Sequence, residues 1–239
     1  MLSKNKCIVL SKLKYRDNDL IIRCYSLQRG TISYLVRGAV KSKKSASKMI
    51  YFQLLSQIET EDNFKPSKSL QYFNEVKLSY LYKSLHTNVF KSAIAIFLAE
   101  ILNSILIEEE SNEELFVFIE TALQYLDTTD HYSNFHLLFL IKLTRFLGIQ
   151  PQQLSTAPSH FDLQTGTFEN KAHGLYCIEG KNLDLLITML GTNFDALHSI
   201  KITANQRQEF LGIILQYFEL HLGGFKKPQS LQIFNDVFH

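Results

Sequence analysis

The hydrophobic pattern of this chain changes period once, near Lys83, and that change most constrains the fold. Before it the chain reads as strands. "KCIVLSKLKY" partly alternates, the polar turn "RDND" follows, then "LIIRCYSL", the turn "QRG" and "TISYLVRG". Alternating β-branched and aromatic residues bounded by Gly30 and Gly38 fit an antiparallel meander. "MIYFQLLSQIETE" reads as a fourth strand. After a turn around Pro66, "LQYFNEVKLSYLY" reads as a fifth. Five short strands in about 80 residues suit a small barrel, and the five-stranded OB barrel is the leading candidate.

After Lys83 the apolar residues recur at helical spacing. Leu85, Val89, Ala93, Phe97, Ile101 and Ile105 make one wide stripe. "SNEELFVFIETALQYLD" opens with the capping-box pattern Ser111-x-x-Glu114, and Thr203-x-x-Gln206 repeats that pattern before the long helix "TANQRQEFLGIILQYFELHLG". "SNFHLLFLIKLTRFLG" is apolar on most sides and is predicted to be the central helix of a bundle, stopped by Gly148 and Pro151. The expected architecture is α+β and multidomain. An OB-fold β-barrel over residues 1–80 is followed by an α-helical bundle domain over 81–239. A loop or hairpin, turning at Gln164-Thr165-Gly166, is inserted at about 149–180.

Charge divides the chain as sharply as period does. The first 50 residues hold twelve Lys and Arg against Asp17 and Asp19 alone, whereas the whole chain carries a net +2. The run "VRGAVKSKKSASK" contains Arg37, Lys41, Lys43, Lys44 and Lys48 and no acid. It is either ordinary solvated surface or a grip for a polyanion, and the acid-poor segment around it favours the polyanion. Arg23 and Tyr34 lie on the neighbouring strands. Tyr15, Tyr25 and Tyr34 are each as well suited to barrel packing as to stacking on bases.

Other classes find little support. No apolar run approaches the ~20 residues that span a bilayer, and the N-terminal apolar stretch is too short for a secretory signal, so a cytoplasmic protein is expected. The three cysteines, Cys7, Cys24 and Cys177, form no C-x-x-C pair. Phosphate-loop, dinucleotide, nucleophile-elbow and zinc-protease motifs are all missing. His131 and His136 are five apart with no Cys or carboxylate at ligand spacing. His160, His173 and Cys177 flank the expected hairpin; they are a weak metal or hydrolase candidate.

In order and spacing, "LIIRCYSLQRGTISYLVRGAVKSKKS", "FLIKLTRFLGIQP" and the terminal "SLQIF" resemble the RecO family of bacterial recombination mediators over essentially the whole chain. The resemblance implies an N-terminal OB-fold and a C-terminal helical domain. It implies binding of single- and double-stranded DNA, strand annealing, and RecA loading together with RecR, with no nucleotide cofactor, membrane or small-molecule substrate. A place at the nucleoid follows from those roles. The resemblance also implies contact with the acidic, phenylalanine-ended tail of single-stranded DNA-binding protein (SSB). Lys142 and Arg145 share a helix face beside Phe139, Leu143 and Phe146, and are the candidate tail site. The sequence departs from the family at the four-cysteine zinc module that many members carry after the Gly-x-x-Pro helix end. Only Cys177 stands there, so a metal-free variant is expected. Two rival readings remain open: a scaffold whose basic segment meets an acidic protein, and a hydrolase built on His160, His173 and Cys177.

Overall fold

Strand β1 (Ser3–Tyr15) organises the first half of the chain in this computed structural model, which describes residues 2–39, 48–107, 110–152, 158–172 and 174–238. It is long enough to serve two neighbours. Its whole C-terminal half pairs antiparallel with β2 (Asp19–Ser26), and Ser3 to Ile8 pair with β4 (Gln57–Asp62). The β1–β2 register shifts between Val9 and Ser11; such a bulge bends a strand and increases its twist. β3 (Gly30–Val36) continues the meander beside β2.

The next strands show how the sheet closes. β5 (Leu70–Gln71) pairs parallel with β3, while β6 (Phe73–Leu78) pairs antiparallel with β4. The order is therefore β5-β3-β2-β1-β4-β6, and β5 and β6 sit on opposite edges. Only Tyr72 separates them in sequence, so the two edges must meet: the sheet curls into a barrel. The fifth strand expected from sequence is this one segment, split at Tyr72 between two partners, in the OB order.

Alternation along the strands fills the barrel. Leu20, Ile22 and Cys24 of β2 and Ile32 and Tyr34 of β3 point inward with Cys7, Val9 and Ile58. Tyr34 stacks on Phe73 at 3.9 Å between centroids, and Phe52 stacks on Phe73 at 5.7 Å. The expected fourth strand is shorter than "MIYFQLLSQIETE". Lys48–Phe52 forms a 3-10 turn that inserts Phe52 into the core, and Leu55 takes a positive φ of 61°, which no strand accommodates.

Contacts divide the chain into two units. The first is Met1–Thr128 with Pro228–Phe234; the second is Thr129–Lys227 with Asn235–His239. The change of period at Lys83 and this division do not coincide, because period reports secondary structure and not packing. α1 (Val89–Ile105), capped by Asn88, packs on β1. α2 (Glu113–Thr128) begins under Asn112, whose side chain accepts from Leu115 N at 2.9 Å. That cap lies one residue beyond the Ser111 expected from the capping-box pattern. Asp127 ends α2 by accepting from the backbone amides of Lys83, Ser84 and Leu85.

In the second unit α3 (Phe135–Phe146) is buried without a break from Phe135 to Ile141, as its all-round apolar sequence requires. It ends in a Schellman turn. Gly148 sits at φ 71°, Ile149 N donates to Thr144 O and Gly148 N to Arg145 O. The inserted hairpin is β7 (His160–Asp162) and β8 (Thr167–Glu169), joined by a third strand, β9 (Cys177–Glu179). α4 (Gly180–Gly191), a 3-10 turn at Phe194–Ser199 and α5 (Ala204–His221) follow, α5 with the Thr203–Gln206 capping box in place. Helix α6 (Leu231–Val237) closes the chain. Among the described residues no helix is long and apolar enough to cross a membrane.

Candidate nucleic-acid interface

The register places the β1–β2 turn and the exit of β3 at one end of the barrel, since Tyr15 pairs with Asp19 and Leu20 with Val36. Asp19, one of the two acids of the basic segment, accepts from Gly38 N at 2.9 Å and so turns the chain after β3. Exposed cations gather here. Lys12, Lys14 and Arg16 are exposed, and Arg16 lies over the Tyr15 ring at 5.2 Å. Arg37, exposed at the end of β3, lies 5.1 Å from the centroid of Tyr72 and donates to its hydroxyl at 3.2 Å. Lys48 is also exposed. Lys41, Lys43 and Lys44 lie outside the described residues.

The loop between β4 and β5 adds a second basic element at the other end of β3. Buried Gln71 ties it down, accepting from Lys65 N at 2.9 Å and donating to the carbonyls of Lys65 and Lys68 at 2.9 and 2.7 Å. Lys65 and Lys68 remain exposed. Lys68, Phe64, Arg29 and Ser33 help to line a cleft of about 500 Å³ along β3. Arg29 lies 4.4 Å from the Phe64 centroid.

Tyr34 does not belong on this surface, and Arg23, although it lines the same cleft, is held by other contacts. Tyr34 has no solvent exposure; its ring is a core residue and its hydroxyl donates to Asp62 Oδ2 at 2.7 Å, so it cannot stack on a base. Burial pushes its phenol well above the ordinary range. Arg23 is half-buried and fixed on the C-terminus of α1. It donates to the Asn103 carbonyl at 2.9 Å, to Asn103 Oδ1 at 3.0 Å and to the Leu106 carbonyl at 2.7 Å. That is a helix C-cap, with a cation on the negative end of the helix. Conversely, Tyr72 and Lys68 stood outside the sequence candidates, and Lys14 and Arg16 counted only as part of the basic first 50 residues. Tyr72 looked like one of many alternating aromatics; only its position between two edge strands exposes it.

The tail candidates in α3 also separate. Phe139 has no exposure and is core. Lys142 is partly buried; burial lowers its pKa, and its ammonium donates to the Leu190 carbonyl at 3.2 Å. Arg145 is exposed, lies 5.9 Å from the centroid of the half-buried Phe146, and occupies the last turn of its helix. Arg145 and Phe146 are thus the accessible part of that group.

Of the hydrolase candidates, His160 and Cys177 stand on the paired strands β7 and β9. His160 Nε2 lies 2.8 Å from Glu179 Oε2 and its Nδ1 2.8 Å from Ser159 Oγ, linking β7 to β9. In the sheet Cys177 faces Asp162 and not His160. His173 lies outside the described residues. Burial pushes the Cys7 thiol up to about 12 and Cys24 well above its usual value, so neither is a nucleophile.

A sheet curled in the OB order, with exposed cation–aromatic pairs at its rim and a helical unit after it, defines an OB-fold protein with an appended helical domain. Comparison with known proteins gives the family. The family model Recombination protein O N terminal matches residues 1–82, and Recombination protein O C terminal matches 86–230. The DNA repair protein RecO of Christiangramia forsetii is 45% identical over 238 residues, spanning all of both chains. That of Flavobacterium psychrophilum is 39% identical over 98% of each chain, and that of Bacteroides fragilis 35% identical over the full length of both. The chain belongs to the RecO family, whose role is in DNA repair and recombination.

Proposed function

We propose that the barrel binds single-stranded DNA along β3, from the Lys68 cleft to the Arg37–Tyr72 pair, and that the protein anneals complementary strands there. The observation that carries this reading is Tyr72, an exposed ring beneath a guanidinium at the junction of the two barrel edges. β3 has seven residues, about 23 Å at ~3.3 Å each, enough to guide several nucleotides. Lys41, Lys43, Lys44 and Lys48, the basic run that follows β3 in sequence, would neutralise further phosphates, on single or double strands. Annealing makes and breaks no covalent bond. It needs two strands neutralised enough to approach, with their bases free to pair.

In this reading the helical unit engages the acidic tail of SSB through Arg145 and Phe146, and the protein acts with RecR to help load RecA on SSB-coated DNA. The decisive experiment is annealing of complementary strands coated with the cognate SSB, compared between the wild-type protein and a Tyr72→Ala, Arg37→Ala variant. Unchanged annealing in a folded variant would refute the assignment to this edge of the barrel. The acidic-protein scaffold predicts no binding of oligonucleotides at all.

A further inference from the structure

We propose that a second site, in the helical unit, binds a phosphate group carried by a nucleotide or a nucleic-acid end. The cleft has a volume of about 480 Å³, within the roughly 300–1,000 Å³ of small-ligand sites. It opens between the segment that leads into α3 and the segment that leads into α5. Four cationic or protonatable side chains line it: His131, His198, Lys201 and Arg207. Asp130 is the one carboxylate among the lining residues.

Arg207 is held in a fixed frame at this cleft. Its Nε donates to Asn134 Oδ1 at 2.9 Å, and Asn134 Nδ2 donates to the Ile200 carbonyl at 2.9 Å. Asn134 stands at the N-cap of α3 yet makes no capping bond, because both ends of its amide hold this frame. The guanidinium is thereby oriented while its two terminal nitrogens take no protein acceptor among the described residues. No carboxylate lies within ion-pair distance of it there. A half-buried guanidinium without an anion is costly, and burial duly lowers its pKa. A cleft that brings an anion to those nitrogens removes the cost.

The lining selects phosphate. His131 and His198 are exposed at the mouth with ring centroids 5.8 Å apart, and Lys201 lies three residues beyond His198. Donors arriving from three segments suit a tetrahedral group with several oxygens; a lone carboxylate is satisfied by one guanidinium fork. The positive charges of Lys201 and Arg207 disfavour a metal ion, and among the described residues no three candidate ligands converge. The site is separate from the barrel, so its success or failure does not depend on where single strands bind.

The test is an amide- and imidazole-detected NMR titration of the full chain with inorganic phosphate, thymidine 5′-monophosphate and thymidine. Phosphate and the monophosphate are expected to move the resonances of Lys201, Thr203, His131 and His198, and thymidine is not. A His198→Ala, Lys201→Ala variant, altered only at exposed side chains, should bind the monophosphate about tenfold more weakly, as for lost charge-assisted contacts. A 5′-phosphorylated oligonucleotide that moves these resonances more than its 5′-hydroxyl twin assigns the site to strand ends; equal effects assign it to free phosphate or nucleotide. The proposal is overturned if phosphate and the monophosphate leave these resonances unmoved, if the double variant binds as wild type, or if an acidic peptide moves them where phosphate does not.

Discussion

Arg29 Nη1 reaches both carboxylate oxygens of Asp62, at 3.0 and 3.1 Å, although the Asp62 side chain has no solvent exposure. Tyr34 Oη and Ser3 Oγ donate to the same carboxylate at 2.7 and 3.3 Å. The network joins β1, β3 and β4 with the β2–β3 turn. A charge removed from such a site leaves its partner unpaired in a poorly solvated place. Asp62→Ala is therefore expected to cost about 3–5 kcal/mol, read as a lower midpoint in urea unfolding. A loss below about 1 kcal/mol would mean that solvent reaches Arg29 freely.

At the rim the expected effects fall on binding and not on stability. Tyr72→Ala should weaken single-strand binding by about 1–3 kcal/mol, the range for one lost stacking contact, while Tyr72→Phe should keep most of the affinity. Replacing Lys41, Lys43 and Lys44 together by alanine should flatten the slope of log affinity against log salt by about 2, for three phosphate contacts on a single strand. Fluorescence anisotropy across a salt series separates the two. An unchanged slope in the triple variant would remove these three lysines from the interface.

How far the sequence revealed this depends on the residue. The alternation of Leu20, Ile22 and Cys24 and the stripe of α1 report local period, so strands, helices and the barrel were legible. Gly148 and the Thr203–Gln206 box were legible because caps are local. The places of Tyr34 and Arg23 were not legible, because a tyrosine or arginine on a half-buried strand has two faces to choose from. Asp62 decides for Tyr34, and the end of α1 for Arg23; the partners lie 28 and 80 residues away in sequence. The Arg207 cleft was invisible for the same reason: Asn134, His131 and Arg207 converge only through tertiary packing.

The hairpin unit carries a prediction about metal. β7 and β9 are tied by His160 and Glu179, and Cys177 is the sole thiol near the place where many family members have four. A structural zinc site needs four Cys or His ligands closing a tetrahedron, and among the described residues no three candidate ligands converge. Elemental analysis of the purified protein is expected to give no stoichiometric zinc. About one zinc per chain, lost in a Cys177→Ser or His173→Ala variant, would contradict this.

Arg145 and Lys142 should behave differently in tail binding. Arg145 is free to form a charge-assisted hydrogen bond, whereas Lys142 already donates to Leu190. Arg145→Ala is expected to cost roughly 1–3 kcal/mol in affinity for a labelled SSB-tail peptide, with folding unaffected. Lys142→Ala should chiefly lower stability. Equal peptide affinity for wild type and Arg145→Ala would place the tail site elsewhere.

His136 gives the helical unit an acid limit. It lies in α3 with no solvent exposure. Burial, and then the positive charge of Arg207, lower its pKa from 6.5 to about 3. The folded state therefore holds the imidazole neutral across a range in which the unfolded chain protonates it. Its contribution to stability is fully present above about pH 6.5 and is lost as the pH falls from there toward 3, because the unfolded state binds the extra proton. The slope approaches about 1.4 kcal/mol per pH unit for one such proton. Native carboxylates such as Asp127 add their own loss, but at lower pH. Burial alone would raise the Asp127 pKa; hydrogen bonds from three backbone amides and the charge of Lys91 outweigh it and lower the pKa instead. The two effects separate by mutation. His136→Phe should reduce the slope of unfolding free energy between about pH 6 and 4.5, whatever it does to stability at neutral pH. Urea unfolding of both proteins at a series of pH values reads that slope directly, and parallel curves would show that His136 takes up its proton in the fold.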